Sequence, residues 1–245
     1  MKAMILAAGL GTRLKPWTEH HPKALVPVNG IPMLERVIVS LKGQGFDQIL
    51  VNVYHFSSQI VDFLKSKDFG VDIMVSDESG LLLDTGGGIV KASGQLDLEN
   101  GPVLVHNVDI LSNADLKGLM EAHTANGADA TLLVSDRESS RKLIVGEDMA
   151  LRGWHNLGNG QRRPDSFTGK PGDREYAFSG IHVVGAGAVE EMRRIIREEA
   201  FPIMDYYLSE ARKGKVTCHV QPGLRLIDIG KPATLEAANL MLGQP

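Results

Sequence analysis

The segment Leu6-Ala7-Ala8-Gly9-Leu10-Gly11-Thr12-Arg13-Leu14-Lys15-Pro16, with Lys23 a little further on, carries a dense set of groups able to hold a polyphosphate. Gly9 and Gly11 let backbone N–H groups come close to an anion. Thr12 adds a hydroxyl donor, Arg13 a planar fork for phosphate oxygens, and Lys15 and Lys23 compact positive charges. Two familiar phosphate motifs do not fit. Leu14 stands where a G-x-G-x-x-G dinucleotide fingerprint needs its third glycine, which disfavours a hydride-transferring dehydrogenase, and no Gly-Lys-Ser/Thr closes the loop as in a P-loop. A glycine-rich turn with solvated basic residues is the plain alternative. The combination of glycines, Thr, Arg and a downstream Lys in one over-long loop favours the polyphosphate.

Two carboxylates fall at the ends of apolar runs: Asp109 after Pro102–Val105 and Asp228 after Leu224–Ile227. From spacing alone each reads equally well as a helix cap or turn residue and as an oxygen ligand for Mg²⁺, which is usually held by one or two carboxylates plus substrate phosphates. In Asp84-Thr85-Gly86-Gly87-Gly88 the glycine run is costly unless a ligand or another segment comes very close, and contact with a flat nucleobase is the favoured expectation. Other chemistries find little support. The single cysteine, Cys218, excludes an internal disulfide framework and a multi-Cys zinc site, and beside His219 in an apolar run it reads as a buried structural pair. The histidines show no metal-ligand spacing, and His20 and His21 read as solvated or weak phosphate contacts.

These residues need a scaffold that brings distant segments together. Strand-like runs at Ala3–Ala7, Gln48–Val53, Val71–Val75, Pro102–His106 and Ala130–Val134 alternate with helical periods at Pro32–Lys42, from Ser57 to about Lys65, after Gly86–Gly88, and at Ala114–His123. This alternation predicts an α/β fold: a single-domain, Rossmann-like, three-layer α/β/α arrangement on a mostly parallel, mixed central sheet. Further on, Arg141–Trp154 reads as a hairpin turning at Gly146-Glu147-Asp148, and Asn156–Arg174 as a polar loop. Tyr176–Val184, Val216–Val220 and Leu224–Asp228 read as strands. Gly187–Glu198, Pro202–Arg212 and Pro232 to about Leu242 read as helices. No linker, repeat or charge run divides the 245 residues, which are expected to form one domain with two halves, 1–135 and 136–245. The long first loop leaves the carboxyl end of the first strand, where open α/β sheets bind ligands.

Composition narrows the partners. Lys plus Arg number 26 against 30 Asp plus Glu, a net charge of −4, which disfavours a nucleic-acid binder working through a basic surface. No apolar stretch approaches the roughly 18 residues of a membrane span, and the N-terminal apolar run is too short for a secretory signal. A cytoplasmic protein with neither nucleic-acid nor membrane partner is expected; the oligomeric state is not legible.

The first-loop sequence, followed by Pro22-Lys23-Ala24-Leu25-Val26-Pro27-Val28, resembles the N-terminal pattern of the sugar-1-phosphate nucleotidyltransferases. The resemblance extends over almost the whole chain, through Leu83-Asp84-Thr85-Gly86-Gly87-Gly88, Asn107-Val108-Asp109, Ala177-Phe178-Ser179-Gly180-Ile181 and Ile227-Asp228-Ile229-Gly230. The nearest relatives implied are the short N-acetylmuramate-1-phosphate uridylyltransferases and mannose-1-phosphate guanylyltransferase-like proteins. What the resemblance implies is Mg²⁺-dependent transfer of a nucleoside monophosphate from a nucleoside triphosphate, UTP favoured, to a sugar-1-phosphate, with release of pyrophosphate. The product would serve cell-envelope polysaccharide synthesis. It further implies that Leu6, Ala7 and Gly9 flank base and ribose, and that Gly11, Thr12 and Arg13 hold the triphosphate tail. Lys23 would reach the α-phosphate and the sugar phosphate, so that Arg13 and Lys23 carry the catalysis. Thr85 and Gly86 would meet the base edge. Asn107, Ser179, Gly180 and Arg141 would contact the sugar substrate, and Asp109 and Asp228 would hold the metal.

The pattern departs from the family in two places. Val108 stands where many relatives have glycine, and Pro202-Ile203-Met204-Asp205 lies where some members present a basic residue. A sugar carboxylate would then have to find its charge at Arg141, Lys142, Arg162, Arg163 or Lys170, which weakens the muramate assignment. A guanylyl- or cytidylyltransferase, or a non-catalytic nucleotide-sugar sensor on the same fold, remain as alternatives.

Overall fold

The computed structural model describes residues 1–165, 167, 169–211 and 213–242. The first half runs β1 (Lys2–Leu6), β2 (Pro27–Val28), β3 (Ile31–Pro32), α1 (Met33–Gly43), β4 (Gln48–Val53), α2 (Ser57–Lys65), β5 (Asp72–Asp77), α3 (Asp84–Ala92), β6 (Val103–Asn107), β7 (Ile110–Ser112), α4 (Leu116–Asn126) and β8 (Ala130–Ser135). The second runs β9 (Arg141–Val145), β10 (Leu151–Asn156), β11 (Arg162–Arg163), β12 (Arg174–Val184), α5 (Ala186–Ile195), α6 (Ile203–Ser209), β13 (Val216–Val220), β14 (Leu226–Asp228) and α7 (Pro232–Leu242).

Alternating apolar residues give β1 two buried faces. Ala3 and Ile5 pack with Ile49, Val51 and the inner faces of α1, α2 and α4, while Met4 packs on the opposite side with Leu50, Val103, Val105 and residues of α3, α5 and α6. Helix α1 presents Leu34, Val37, Ile38 and Leu41, one face of a 3.6-residue period. Each such side chain, fully removed from water, contributes roughly 1.5–3 kcal/mol. The result is the expected three-layer sandwich on a mixed sheet. Strands β6, β1, β4 and β5 run parallel, as do β8 and β13, whereas β12 joins β6, β8 and β9 in antiparallel pairs. Among the described residues no helix is long and apolar enough to cross a membrane.

Several expectations shift. The segment between β1 and α1 is not an open loop: it folds into short 3-10 helices at Thr12–Leu14, Trp17–Glu19 and Lys23–Leu25 and a small β2–β3 hairpin. Its inward residues Leu14, Val26 and Val28 form a separate apolar cluster with Met33 at the start of α1 and with Ile229 and Ala238, so late residues of the chain fasten down early ones. Helix α3 includes the three glycines rather than following them. Helix α4 starts at Leu116, not Ala114, because Asp115 caps it, its carboxylate accepting the Gly118 N–H at 2.8 Å. The short strand β11 interrupts the expected polar loop 156–174, and the helix expected over 202–212 spans Ile203–Ser209, its expected end at Arg212 lying outside the described residues.

Candidate active site

Register puts the ligand-binding edge in place. Leu6 at the end of β1 stands beside Asn52 on β4 and Asn107 on β6. Around these ends opens a cleft of about 420 Å³ lined by Leu6, Ala8 through Arg13, Lys23, Asn52, Leu82, Asp84, Thr85, Asn107, Val108, Asp109 and Gly230. Most of the expected nucleotide contacts meet here: Leu6, Gly9, Gly11, Thr12, Arg13, Lys23 and Thr85 all face one space. Gly11 has φ +63° and its carbonyl accepts the Thr18 hydroxyl at 2.9 Å. A Cβ on Gly11 would stand 2.9 Å from Lys23 Cβ, so a glycine is needed to bring the loop and Lys23 together.

Two of the expected contacts sit differently. Ala7 is not in the lining, and its N–H donates to Asn52 Oδ1 at 2.7 Å. Gly86 is buried in α3 outside the lining, its N–H donating to the Phe201 carbonyl at 2.9 Å. A Cβ on Gly86 would overlap the Phe201 ring, and one on Gly87 the Glu199 carbonyl. Gly86 and Gly87 are therefore explained by close approach of the 199–201 segment, and Gly88 by the Glu78 and Asn52 side chains, not by a nucleobase stacked on Gly86; of the expected pair Thr85 and Gly86, only Thr85 reaches the cleft.

A second cleft of about 500 Å³ adjoins the first at Asn107, which lines both. Its walls come from distant parts of the chain and include Arg137, Arg141, Lys142, Trp154, Arg163, Phe178, Ser179, Gly180, Asp205 and Asp228. All four residues expected to contact the sugar substrate are thus in one place. A bulge in β12 between Phe178 and His182 shapes the wall. Ser179 is buried, and its Oγ accepts the Ile181 N–H at 3.1 Å, so its hydroxyl supports the bulge. Gly180 has φ +76°, and a Cβ there would meet Asn107 Nδ2 at 2.7 Å.

The two aspartates, 119 positions apart, are brought together where the clefts join. Strand β7 pairs with β14, placing Asp228 opposite Ile110, and the Ile229 N–H donates to the Asp109 carbonyl at 3.0 Å. The Asp109 carboxylate pairs with Lys23 Nζ, both side chains being largely buried. A Cβ on Gly230 would stand 2.8 Å from Asp228 Oδ1 and 2.9 Å from an Arg13 Nη, so Gly230 leaves room for Arg13 and Asp228 to approach. Two hard carboxylates, Asp109 in the turn just before β7 and Asp228 at the end of its neighbour β14, suit Mg²⁺. Among the described residues no cluster of three or more His, Cys, Asp or Glu completes an all-protein cage, which leaves positions for phosphate oxygens and water.

Several residues of these clefts have roles that were not singled out from the sequence. Arg137 follows β8 at its carboxyl end, the cue that served for Asp109, and donates to the Phe178 carbonyl at 2.9 Å. Burial lowers the pKa of its guanidinium, an effect the Asp228 charge opposes. Arg163, expected only as a partner for a sugar carboxylate, pairs with Asp205 at 2.9 Å across the second cleft. Neither Arg162 nor Lys170 lines that cleft. Asn52, a buried polar residue inside the apolar run Ile49–Val53, was legible as an anomaly. His20 and His21 flank an apolar depression with Trp17, away from both clefts. Cys218 is buried in β13 with its thiol pushed up to about 12 by burial, which suits an unreactive core position.

Fold and clefts define a class: an α/β protein with a polyanion-accepting cleft at the carboxyl ends of parallel strands, joined to a second cationic cleft. Comparison with known proteins narrows it. Residues 3–197 match the model of the MobA-like NTP transferase domain. The chain is 32% identical over 250 residues to an N-acetylmuramate alpha-1-phosphate uridylyltransferase of Neisseria meningitidis, covering 99% of each. It is 33% identical over 243 residues to a mannose-1-phosphate guanyltransferase of Pichia angusta, covering 95% of this chain and 61% of that longer protein's length. The crystal structure of HddC from Yersinia pseudotuberculosis superposes with a TM-score of 0.79 at 23% identity, covering 98% of this chain and 99% of that one, and so shares the fold. The chain belongs to the MobA-like NTP transferase family, and with it to the sugar-1-phosphate nucleotidyltransferases.

Proposed function

We propose that this protein transfers a nucleoside monophosphate from a nucleoside triphosphate, UTP favoured, to a sugar-1-phosphate, giving a nucleotide-sugar and pyrophosphate. The observation that carries the reading is the junction itself: Lys23 paired with Asp109, and Arg13 and Asp228 on either side of Gly230, where a glycine-lined cleft meets a cationic one at Asn107. The triphosphate occupies the first cleft and the sugar phosphate the second. A sugar-phosphate oxygen attacks the α-phosphorus in line; an O–P bond forms, the bond to the bridging oxygen of the β-phosphate breaks, and pyrophosphate leaves with that electron pair.

The barrier in this reaction is repulsion between two polyanions, so positioning and positive charge do the catalytic work. Backbone from Gly9 to Gly11 with the Thr12 hydroxyl holds the phosphate tail, Arg13 neutralises the leaving pyrophosphate, and Lys23 reaches the α-phosphate. No side-chain nucleophile is needed, because the attacking oxygen is already anionic. Asp109 and Asp228 would hold Mg²⁺, which when bound supplies charge neutralisation at the phosphates. Leu6, Ala8 and Thr85 flank the base and ribose, while Arg141 and the bulge at Ser179–Gly180 receive the sugar. A cytoplasmic site and use of the product in cell-envelope polysaccharide complete the proposal.

Relatives named for uridylyl and for guanylyl transfer both align along most of the chain, so GTP is the second nucleotide to test. The deciding assay sets UTP, GTP, CTP and dTTP against a panel of sugar-1-phosphates, with and without Mg²⁺, and detects pyrophosphate. Release dependent on metal and on both substrates, strongest with UTP, is expected. Nucleotide-sugar binding without any pyrophosphate exchange would instead mark a sensor.

A further inference from the structure

A buried carboxylate beneath the first cleft has no part in the proposed chemistry. Glu78 directly follows β5 and is 1% exposed. Its two oxygens reach the two walls of the cleft. Oε1 accepts Asn52 Nδ2 at 2.8 Å, and Asn52 Oδ1 in turn accepts the Ala7 N–H at 2.7 Å, at the root of the Leu6–Gly11 wall. Oε2 accepts the Leu83 N–H at 3.2 Å, in the opposite wall, where Leu82, Asp84 and Thr85 face the cleft. A backbone N–H can only donate, so the Asn52 oxygen must face Ala7 and its NH₂ must face Glu78. Gly88 leaves space for this pair, since a Cβ there would stand 2.8 Å from Glu78 Oε1 and 3.1 Å from Asn52 Nδ2.

We infer that Glu78, acting through Asn52, is a positioning residue that sets the spacing of the two walls between which the nucleobase is held, and so tunes nucleotide affinity and choice. The inference rests on the nucleotide occupying this cleft. The chemistry of the pair requires an acceptor-only group at position 78, because donors approach it from both sides. Glutamine there would turn a donor toward either Asn52 or Leu83. Exchanging the two groups restores the pattern with the same net charge. In the double variant Asn52→Asp/Glu78→Gln, the carboxylate introduced at position 52 accepts from Ala7 and from the amide introduced at position 78, and the oxygen of that amide accepts from Leu83.

The test measures UTP and GTP binding by calorimetry on the full chain, alongside steady-state kinetics and melting temperature. Glu78→Gln should weaken UTP binding about tenfold or more, the scale of one buried mismatched hydrogen bond, with the KM for sugar-1-phosphate within about twofold of wild type. The exchanged double variant should recover UTP affinity to within about threefold. Unchanged UTP affinity in Glu78→Gln, or a double variant that regains the melting temperature but not the affinity, would overturn the inference and leave a purely structural pair. If Glu78→Gln does not fold, the double variant decides by the same affinity criterion. Absence of turnover in the wild type with every nucleotide would sink the proposed function, while binding would still judge the positioning role.

Discussion

The two clefts meet at Asn107 yet are built on opposite plans. The first is lined mainly by two short stretches of neighbouring residues, Leu6 with Ala8–Arg13 and Leu82 with Asp84–Thr85, near the ends of parallel strands. The second is made of side chains, many of them long, gathered from β6, β7, the segment between β8 and β9, β9 itself, β10, β11, β12, α6 and β14. A cleft of the first kind is set by chain path and depends on which residues are glycine. One of the second kind is set by side chains that can be exchanged one at a time.

The largest expected effect falls where the two plans join. Asp109→Asn keeps the shape and removes the charge that faces Lys23, so the protein should still fold, at a lowered melting temperature because Lys23 loses a largely buried partner, while kcat falls about a thousandfold or more. Asp228→Asn, on the other cleft, should lose turnover on the same scale if both carboxylates serve one centre. Turnover within tenfold of wild type in either variant would remove that aspartate from the reaction.

Stability separates the clefts next. Gly86→Ala drives a methyl group into the Phe201 ring, between α3 and the 199–201 segment, and should cost about 2–3 kcal/mol, read from the urea midpoint. Gly180→Ala places a residue at φ +76° and pushes on Asn107; about 1–2 kcal/mol is expected. Their functional signatures should differ. Gly86→Ala should act through folding alone, because Gly86 faces the protein, whereas Gly180→Ala should raise KM for both substrates by displacing the residue they share. An unchanged KM in Gly180→Ala would show that Asn107 adapts without loss.

These contrasts also explain what the sequence revealed. The first cleft was legible because its residues are neighbours along the chain and their types are unusual together. The glycine run misled for a physical reason: glycine marks close approach, not the identity of what approaches, and here Phe201 and Glu199 come from the far half of the chain. Ser179 was legible as a site position, but not that its hydroxyl would be turned inward to support a bulge. Arg137 carried the strand-end cue that served for Asp109, but its grip on Phe178 and the pairing of Arg163 with Asp205 were not legible, because only the fold juxtaposes these residues. The alternation of strands and helices was enough for the layers; the capping Asp115 and the 3-10 helices depend on local hydrogen bonds that periodicity does not register.

Beneath the junction lies a buried polar column that should make stability depend on pH. His106 Nδ1 bonds the Asn107 carbonyl at 2.8 Å, and His182 Nδ1 meets the Tyr207 hydroxyl. Burial lowers His106 to about 4; burial, reinforced by His106, lowers His182 to about 3. Both imidazoles are therefore neutral in the folded protein at pH values where the unfolded chain takes up protons. Stability is retained above about 6.5, the unfolded value, and lost as pH falls from there toward 4, by at most about 1.4 kcal/mol per pH unit for each group. Melting temperature measured from pH 7.5 to 4.5 should show this decline. His182→Asn should make the decline shallower relative to its own value at pH 7.5, and an equally steep curve would assign the slope elsewhere.

The smallest expected effect tests whether the second cleft is held by replaceable side chains. Of its four cations, Arg163 is paired with Asp205, Lys142 donates to the Arg137 carbonyl at 2.7 Å, and Arg137 grips the Phe178 carbonyl. The Arg141 guanidinium is exposed and, among the described residues, has no such partner. Arg141→Ala therefore removes charge from the sugar side without breaking an internal bond. Melting temperature and nucleotide KM should stay put, and KM for sugar-1-phosphate should rise about tenfold, the scale of one charge-assisted hydrogen bond to phosphate. A steeper dependence of the wild-type KM on salt than of the variant's would confirm that the lost contact is ionic, because a partly exposed charge pair is screened at about 0.15 M and beyond. If nucleotide KM rose instead, Arg141 would belong to the first cleft, and the division of labour between the two clefts would have to be redrawn.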